Sequence, residues 1–147
     1  MPSVERTVTV NQPMAKVWAY LSDFTTTEEW DPPTVRTTRQ SGDGEVGTTY
    51  LNVSTFLGKE TEVQYVVTEH ETGARLQLAG DAGSLKLLDT LTFESSTNDG
   101  VPTTTVTYHA EFTPHGAAKL AEPLMPAGLK LLADKVAASL EEHLTKL

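Results

Sequence analysis

Apolar side chains at Val4, Val8 and Val10 alternate with the polar Glu5, Thr7 and Thr9, the period-two pattern of a half-buried strand. Arg6 is the odd member of the inward row. Pro13 suits the first position of a helix, where its missing N–H costs nothing. Met14, Val17, Trp18 and Leu21 then fall at i, i+3, i+4 and i+7 on one apolar helical face. Ser22-Asp23 stops that helix. Thr25 with Glu28, or Thr26 with Glu29, predicts a capping box for a second, short helix ending near Trp30. Asp31-Pro32-Pro33 cannot continue it.

From Val35 to Phe112 the period is two. Turn signals at Gly42-Asp43-Gly44, Gly58-Lys59, Thr72-Gly73, Asp81-Ala82-Gly83 and Asn98-Asp99-Gly100 delimit six strands, roughly 34–41, 46–57, 60–70, 74–80, 85–95 and 103–113. Most of the chain's 23 threonines lie in or beside them, where β-branching fits the pleat. Short connections imply an antiparallel meander. Alternation predicts inward rows of Val63, Tyr65 and Val67, of Leu76 and Leu78, of Leu85, Leu87, Leu91 and Phe93, and of Val106, Tyr108, Ala110 and Phe112. Glu60, Glu62, Arg75, Gln77, Glu94, Thr105 and Glu111 face water. Strand 46–57 is ambiguous: Tyr50, Asn52, Ser54 and Phe56 share one face, Leu51, Val53 and Leu57 the other. The first row is taken as inward. Leu129, Leu132, Val136, Leu140 and Leu147, with Leu144 beside them, predict a long closing helix, and Pro123, Pro126 and Gly128 make its start irregular or split it.

One strand, two short helices, six antiparallel strands and one long amphipathic helix make an α+β domain over residues 1–147. A curved seven-stranded sheet gripping the last helix satisfies this order. The length of 147 residues supports one core without staples. A net charge of −9 disfavours nucleic acid or an anionic membrane as partner. The absence of cysteine excludes disulfides, thiolate nucleophiles and cysteine-ligated metals. No apolar run is long enough for stable membrane insertion, and no signal peptide is visible at the start, so a cytoplasmic location is expected.

The Val4–Val10 strand leads into Asn11-Gln-Pro-Met-Ala-Lys-Val-Trp-Ala-Tyr-Leu-Ser-Asp23 and then Trp30-Asp31-Pro32. This resembles the opening of the START-like SRPBCC superfamily in its polyketide cyclase/dehydrase branch. Gly44-Glu-Val-Gly47, Asp89-Thr-Leu-Thr-Phe-Glu94 and the closing Leu-rich helix are similar to that family's later elements. The resemblance implies a helix-grip fold with an apolar small-molecule cavity between sheet and helix. It also implies membership in a group that includes lipid carriers, aromatic polyketide cyclases and dehydratases, hormone receptors and regulators of other proteins. Fold alone does not select among these.

Gly42-Asp-Gly-Glu-Val-Gly47 fits a dinucleotide-loop pattern, but strand rather than helix follows it, and Asp43 and Glu45 would repel phosphate, so it reads as a hairpin turn. His70, His109, His115 and His143 show no metal-ligand spacing. They read as surface or edge residues, and neither metal nor cofactor is expected. Asp89 is the sharpest anomaly because it shares parity with Leu85, Leu87, Leu91 and Phe93. Pointing inward, it would have a raised pKa suited to a general acid or base, with Arg6 and Tyr108 able to polarise a carbonyl. A β-bulge turning it outward, or an ion pair with Arg6, explains it equally well. Trp18, Trp30, Tyr50, Asn52, Tyr65, Leu78, Leu91, Tyr108, Leu132 and Val136 are the candidate ligand walls.

Three functions compete at this level. The first is binding or carriage of a small hydrophobic molecule such as a lipid, polyketide or isoprenoid. The second is a cofactor-independent cyclase or dehydratase. The third is an interaction module, with apolar surface outside strand 46–57 offering a homodimer or protein contact.

Overall fold

The computed structural model describes residues 2–56 and 58–147. Strand β1 (Ser3–Val10) leads to helix α1 (Met14–Leu21), a 3₁₀ turn at Phe24–Thr26 and the one-turn helix α2 (Thr27–Trp30). Strands β2 (Thr34–Ser41), β3 (Thr49–Phe56), β4 (Lys59–Glu71), β5 (Arg75–Asp81), β6 (Leu85–Asn98) and β7 (Val101–Pro114) follow. A 3₁₀ segment at Gly116–Leu124 then runs into helix α3 (Met125–Thr145). The strands form one antiparallel sheet in the order β1-β7-β6-β5-β4-β3-β2. Each hairpin pairs sequence neighbours, and the last strand returns to pair with the first.

The inward rows meet α1 and α3. Val8, Val10, Val63, Val67, Leu76, Leu78, Leu91, Phe93 and Val106 from the sheet pack with Val17, Leu21, Val136, Leu140 and Leu144 from the helices in one continuous core. On α3 the buried row is Leu129, Ala133, Val136, Leu140 and Leu144, spaced by three or four residues as a helix facing a sheet requires.

Several local expectations change. The strand expected from residue 46 begins at Thr49, because Gly47 takes φ +94° and Val46 is exposed. β6 and β7 continue past their expected ends to Asn98 and Val101, paired across Asp99-Gly100. Both turn residues have positive φ, 52° and 80°, the twist that lets a two-residue loop extend a hairpin. The capping box does not form. Asp23 accepts from the Thr25 N–H at 3.1 Å, Glu28 accepts from the Thr37 N–H at 2.9 Å, and Glu29 accepts from the Tyr20 hydroxyl at 2.8 Å. Asp23, expected only to end α1, is the side chain that starts the next turn.

His70 also departs from its expected face. The β4–β5 register shifts between Val67 and Glu69, so the parity of β4 reverses beyond that point. The His70 ring now meets Trp18 edge-on at 5.2 Å. The glycines at 42, 44 and 47 all have positive φ and connect two strands. The segment is a turn.

Of the row opposite Tyr50 on β3, Val53 is buried and Leu51 half-buried. The apolar outer surface expected there is therefore largely covered. Leu57 and the side chain of Phe56 lie outside the described part.

Candidate functional site

Between the sheet and α3 lies a cavity of about 90 Å³. Its walls come from β1, the Phe24–Thr26 turn, α2, β3, β4, β6, β7 and the middle of α3, and not from α1. Side-chain size explains the position. Under α1 the space is filled by Val17, Trp18 and Leu21, all buried, with Trp18 edge-on to Phe93 at 5.0 Å. Under α2 the inward positions carry Asn52, Ser54, Asp89 and, on the facing helix, Ala133. Short side chains leave space that the neighbouring layer does not close.

Asp89 is buried, 6% exposed, and lines this cavity. β6 is regular around it: the register with β5 runs unbroken from Lys86 to Thr92, and Asp89 stands opposite Leu78 on β5 and Ala110 on β7. No bulge turns it out. Nor does Arg6 neutralise it, because the Arg6 guanidinium leaves the inner row of β1 for Asp134 on α3, Nε to Oδ1 at 2.9 Å. This ion pair stands at the margin of the core, is partly solvated and contributes at most about 1 kcal/mol. Burial pushes the Asp89 carboxyl up to about 7; the nearby charge of Asp31 adds to the rise, and a hydrogen bond from Tyr65 opposes it. Burial raises the Tyr65 and Tyr108 phenols well above their ordinary value, and the Asp89 charge adds to both.

Asp31 is the residue that sequence reasoning missed. Trp30-Asp31-Pro32-Pro33 reads locally as a helix stop, and it is one. The proline after Asp31 also restricts it to extended backbone, found at φ −99° and ψ 102°, while the buried Trp30 anchors the segment. Asp31 is thereby held half-buried on the cavity wall. Burial raises its carboxyl to about 6, against a lowering hydrogen bond from Thr34. A carboxyl fixed between a buried tryptophan and two prolines was the available signal.

A chain of hydrogen bonds supports this wall, and its direction follows from proton count. Thr27 donates its hydroxyl to the Phe24 carbonyl at 2.7 Å, so Thr37 must be the donor in the 2.6 Å Thr27–Thr37 contact. Asn52 Nδ2 then donates one hydrogen to Thr37 at 2.8 Å and the other to Thr34 at 3.0 Å. Thr34 has its proton left for Asp31 Oδ2, at 2.6 Å. Ser54 donates to Asn52 Oδ1. Asp31 Oδ2 is thus an acceptor.

Of the candidate ligand walls, Trp30, Asn52, Tyr65, Tyr108, Leu132 and Val136 surround the cavity, and Trp18, Tyr50, Leu78 and Leu91 do not. Trp18 closes the α1 end. Tyr50 packs on Phe24 at 5.6 Å, and Phe24 in turn meets Tyr65 at 5.0 Å. Leu78 and Leu91 are core. Of the three candidate catalytic residues, Asp89 and Tyr108 come together and Arg6 stands apart with Asp134. Among the described residues, no three His, Asp or Glu side chains converge as metal ligands.

Gly80 keeps this geometry open. It pairs with Tyr65 across β4–β5, and a Cβ at position 80 would lie 2.7 Å from Tyr65 Cε1 and 3.0 Å from Val63 Cγ1. The phenol ring crosses β5 where a side chain would otherwise stand. Gly80→Ala is expected to cost roughly 2 kcal/mol in urea denaturation, within the range for overpacking a core. It should also displace the Tyr65 hydroxyl from Asp89, moving the Asp89 titration, followed by carboxyl NMR, to higher pH.

The family model described as polyketide cyclase / dehydrase and lipid transport matches residues 1–145. No curated protein matches the sequence. Among solved structures, the chain is similar to the Zhui aromatase/cyclase from Streptomyces sp. R1128, with 15% identity and a TM-score of 0.78 over 96% of this chain and 92% of that one. It is similar to the di-domain aromatase/cyclase BexL of the BE-7585A biosynthetic pathway, with 14% identity and a TM-score of 0.71 over 97% of this chain and 46% of that one. A protein of Thermus thermophilus matches at 15% identity and a TM-score of 0.69, over 95% of this chain and 97% of that one. At these identities the likeness is one of fold.

Proposed function

Because the chain belongs to the polyketide cyclase/dehydrase and lipid transport family, we propose that its cavity binds a small hydrophobic molecule carrying one polar group. The observation that carries this reading is the cavity itself: apolar and aromatic over most of its wall, with Asp89, Asp31, Asn52 and two phenols among the polar groups that line it. Sites of this composition draw affinity from apolar burial and orientation from a few polar groups. The present volume of about 90 Å³ suits a compact group or the end of a longer molecule. Native mass spectrometry after gentle purification is expected to find an apolar ligand held by the folded chain. A dye such as ANS should bind and be displaced by the extracted ligand. An unliganded chain that binds no dye would refute the proposal.

Asp89 favours a second reading, a cofactor-independent cyclase or dehydratase. A carboxyl pushed up to about 7 by burial is divided between acid and base forms at neutral pH, the condition under which proton transfer is most effective. The Tyr65 hydroxyl orients it, and Tyr108 stands at the same wall to donate to a carbonyl oxygen. On a polyketide-like substrate, Asp89→Asn is expected to lower turnover by roughly 100-fold or more while leaving substrate affinity within a few-fold. Equal turnover in the two proteins would remove Asp89 from the reaction.

A further inference from the structure

The charges facing the cavity are unbalanced. Asp31 enters from the α2–β2 junction, Tyr65 from β4, Asp89 from β6 and Tyr108 from β7, while α3 contributes only Leu132, Ala133 and Val136. Among the described residues, no Lys, Arg or His lines the space. The cation on the inner row, Arg6, is committed to Asp134 and, through Nη1, to the Glu5 carbonyl at 2.8 Å. Asp31 and Asp89 lie within each other's field, and each also acts on both phenols.

Two carboxyls in a shared apolar space repel when both ionise, and among the described residues the wall offers them hydrogen bonds from Tyr65 and Thr34 but no positive charge. A neutral carbonyl or hydroxyl on a ligand would accept or donate one hydrogen bond and leave that repulsion in place. A cation would relieve it from both sides. The remaining wall also suits a cation: Phe24, Trp30, Tyr65 and Tyr108 all line the space, and aromatic rings are the apolar groups that attract ammonium.

We propose that the polar group of the ligand is a protonated amine, held between Asp31 and Asp89 against the aromatic wall. This rests on the reading of the cavity as a ligand site and names the chemical class that fits it. Amine binding draws both carboxyls into their ionised form and therefore releases protons. Affinity rises with pH as Asp31 and Asp89 lose theirs, and it levels off once both are ionised.

The test compares matched pairs on the full chain: isobutylamine against isobutanol, and benzylamine against benzyl alcohol, by amide chemical-shift titration and calorimetry at pH 5 and pH 8. Each amine is expected to bind at least tenfold tighter than its alcohol at pH 8 and at least fivefold tighter at pH 8 than at pH 5. The alcohols should show no such rise. Calorimetry in buffers of different ionisation enthalpy should report proton release near pH 6. Asp89→Asn and Asp31→Asn should each reduce the amine preference while alcohol binding persists. The wild-type pairs decide the matter even if a variant folds poorly. Alcohols that bind as tightly as amines at pH 8 would overturn the amine assignment and leave the ligand site standing. Failure of amines, alcohols and ANS alike would overturn both.

Discussion

Asp89→Asn is expected to melt higher than the parent protein at pH 8 and at about the same temperature at pH 4. The sign follows from linkage. The folded-state pKa of Asp89, about 7, lies above the ordinary value of 3.8, so the folded chain holds a proton that the unfolded chain releases. The stability this proton confers is fully present below about pH 4 and is lost as pH rises through 7. A rise of this size corresponds to roughly 4 kcal/mol between the two limits, and at 6% exposure solvent screening removes little of it. Asparagine keeps the shape and the hydrogen bond from Tyr65 without the charge. Its melting curve should therefore lack this pH dependence, standing roughly 8–16 °C above the parent at pH 8. Scanning calorimetry of both proteins at half-unit pH steps would show the two curves diverging between about pH 4 and 7 and keeping a constant gap above that. Parallel curves would mean that the Asp89 carboxylate is stabilised in the fold by a charge that the described residues do not supply.

The other large effect is expected on α3. Leu140 is 1% exposed and sits in the row that joins the helix to the sheet core. Leu140→Ala removes buried methyl groups and leaves a void that a rigid sheet cannot close, at a cost of about 3–4 kcal/mol. Leu131, nine residues earlier on the same helix, is 68% exposed, and Leu131→Ala should change stability by less than about 0.5 kcal/mol. Urea unfolding monitored by Trp fluorescence would measure both, with an unchanged m-value showing that the denatured state is not at issue. The contrast matters for the site as well as for stability, since Leu132, Ala133 and Val136 wall the cavity from this helix.

Period-two rows placed Val63, Tyr65, Leu76, Leu78, Leu91 and Val106 on the inner sheet face, and the three-to-four spacing of Leu129, Val136, Leu140 and Leu144 placed them on the gripping helix. Both readings succeed because the direction of a side chain in a regular element depends only on its neighbours in sequence. Where the chain is irregular the same logic fails. One bulge in β4 turns His70 toward Trp18. Asp23 supplies the hydrogen bond that two downstream threonines were expected to make. Asp31 reads as part of a helix stop, and although Trp30 and two prolines mark it as a fixed carboxyl, only the packing of α2 on the sheet brings it to the cavity wall.

What the sequence by itself determined is the order of elements, the antiparallel meander, the helix that closes it and the parity that makes Asp89 anomalous, all consequences of short-range periodicity and turn chemistry; its inward direction waited for the unbroken β5–β6 register. Tertiary structure alone decided which of two aromatic groups closes the core and which borders a cavity. It also decided that Arg6 answers Asp134 instead of Asp89, and that Asp31 joins Asp89 with no basic side chain, among the described residues, lining the cavity with them. These outcomes depend on distances between residues far apart in the chain. Such distances are set by how α1, α2 and α3 settle on the curved sheet, and the electrostatics of the cavity follow from them.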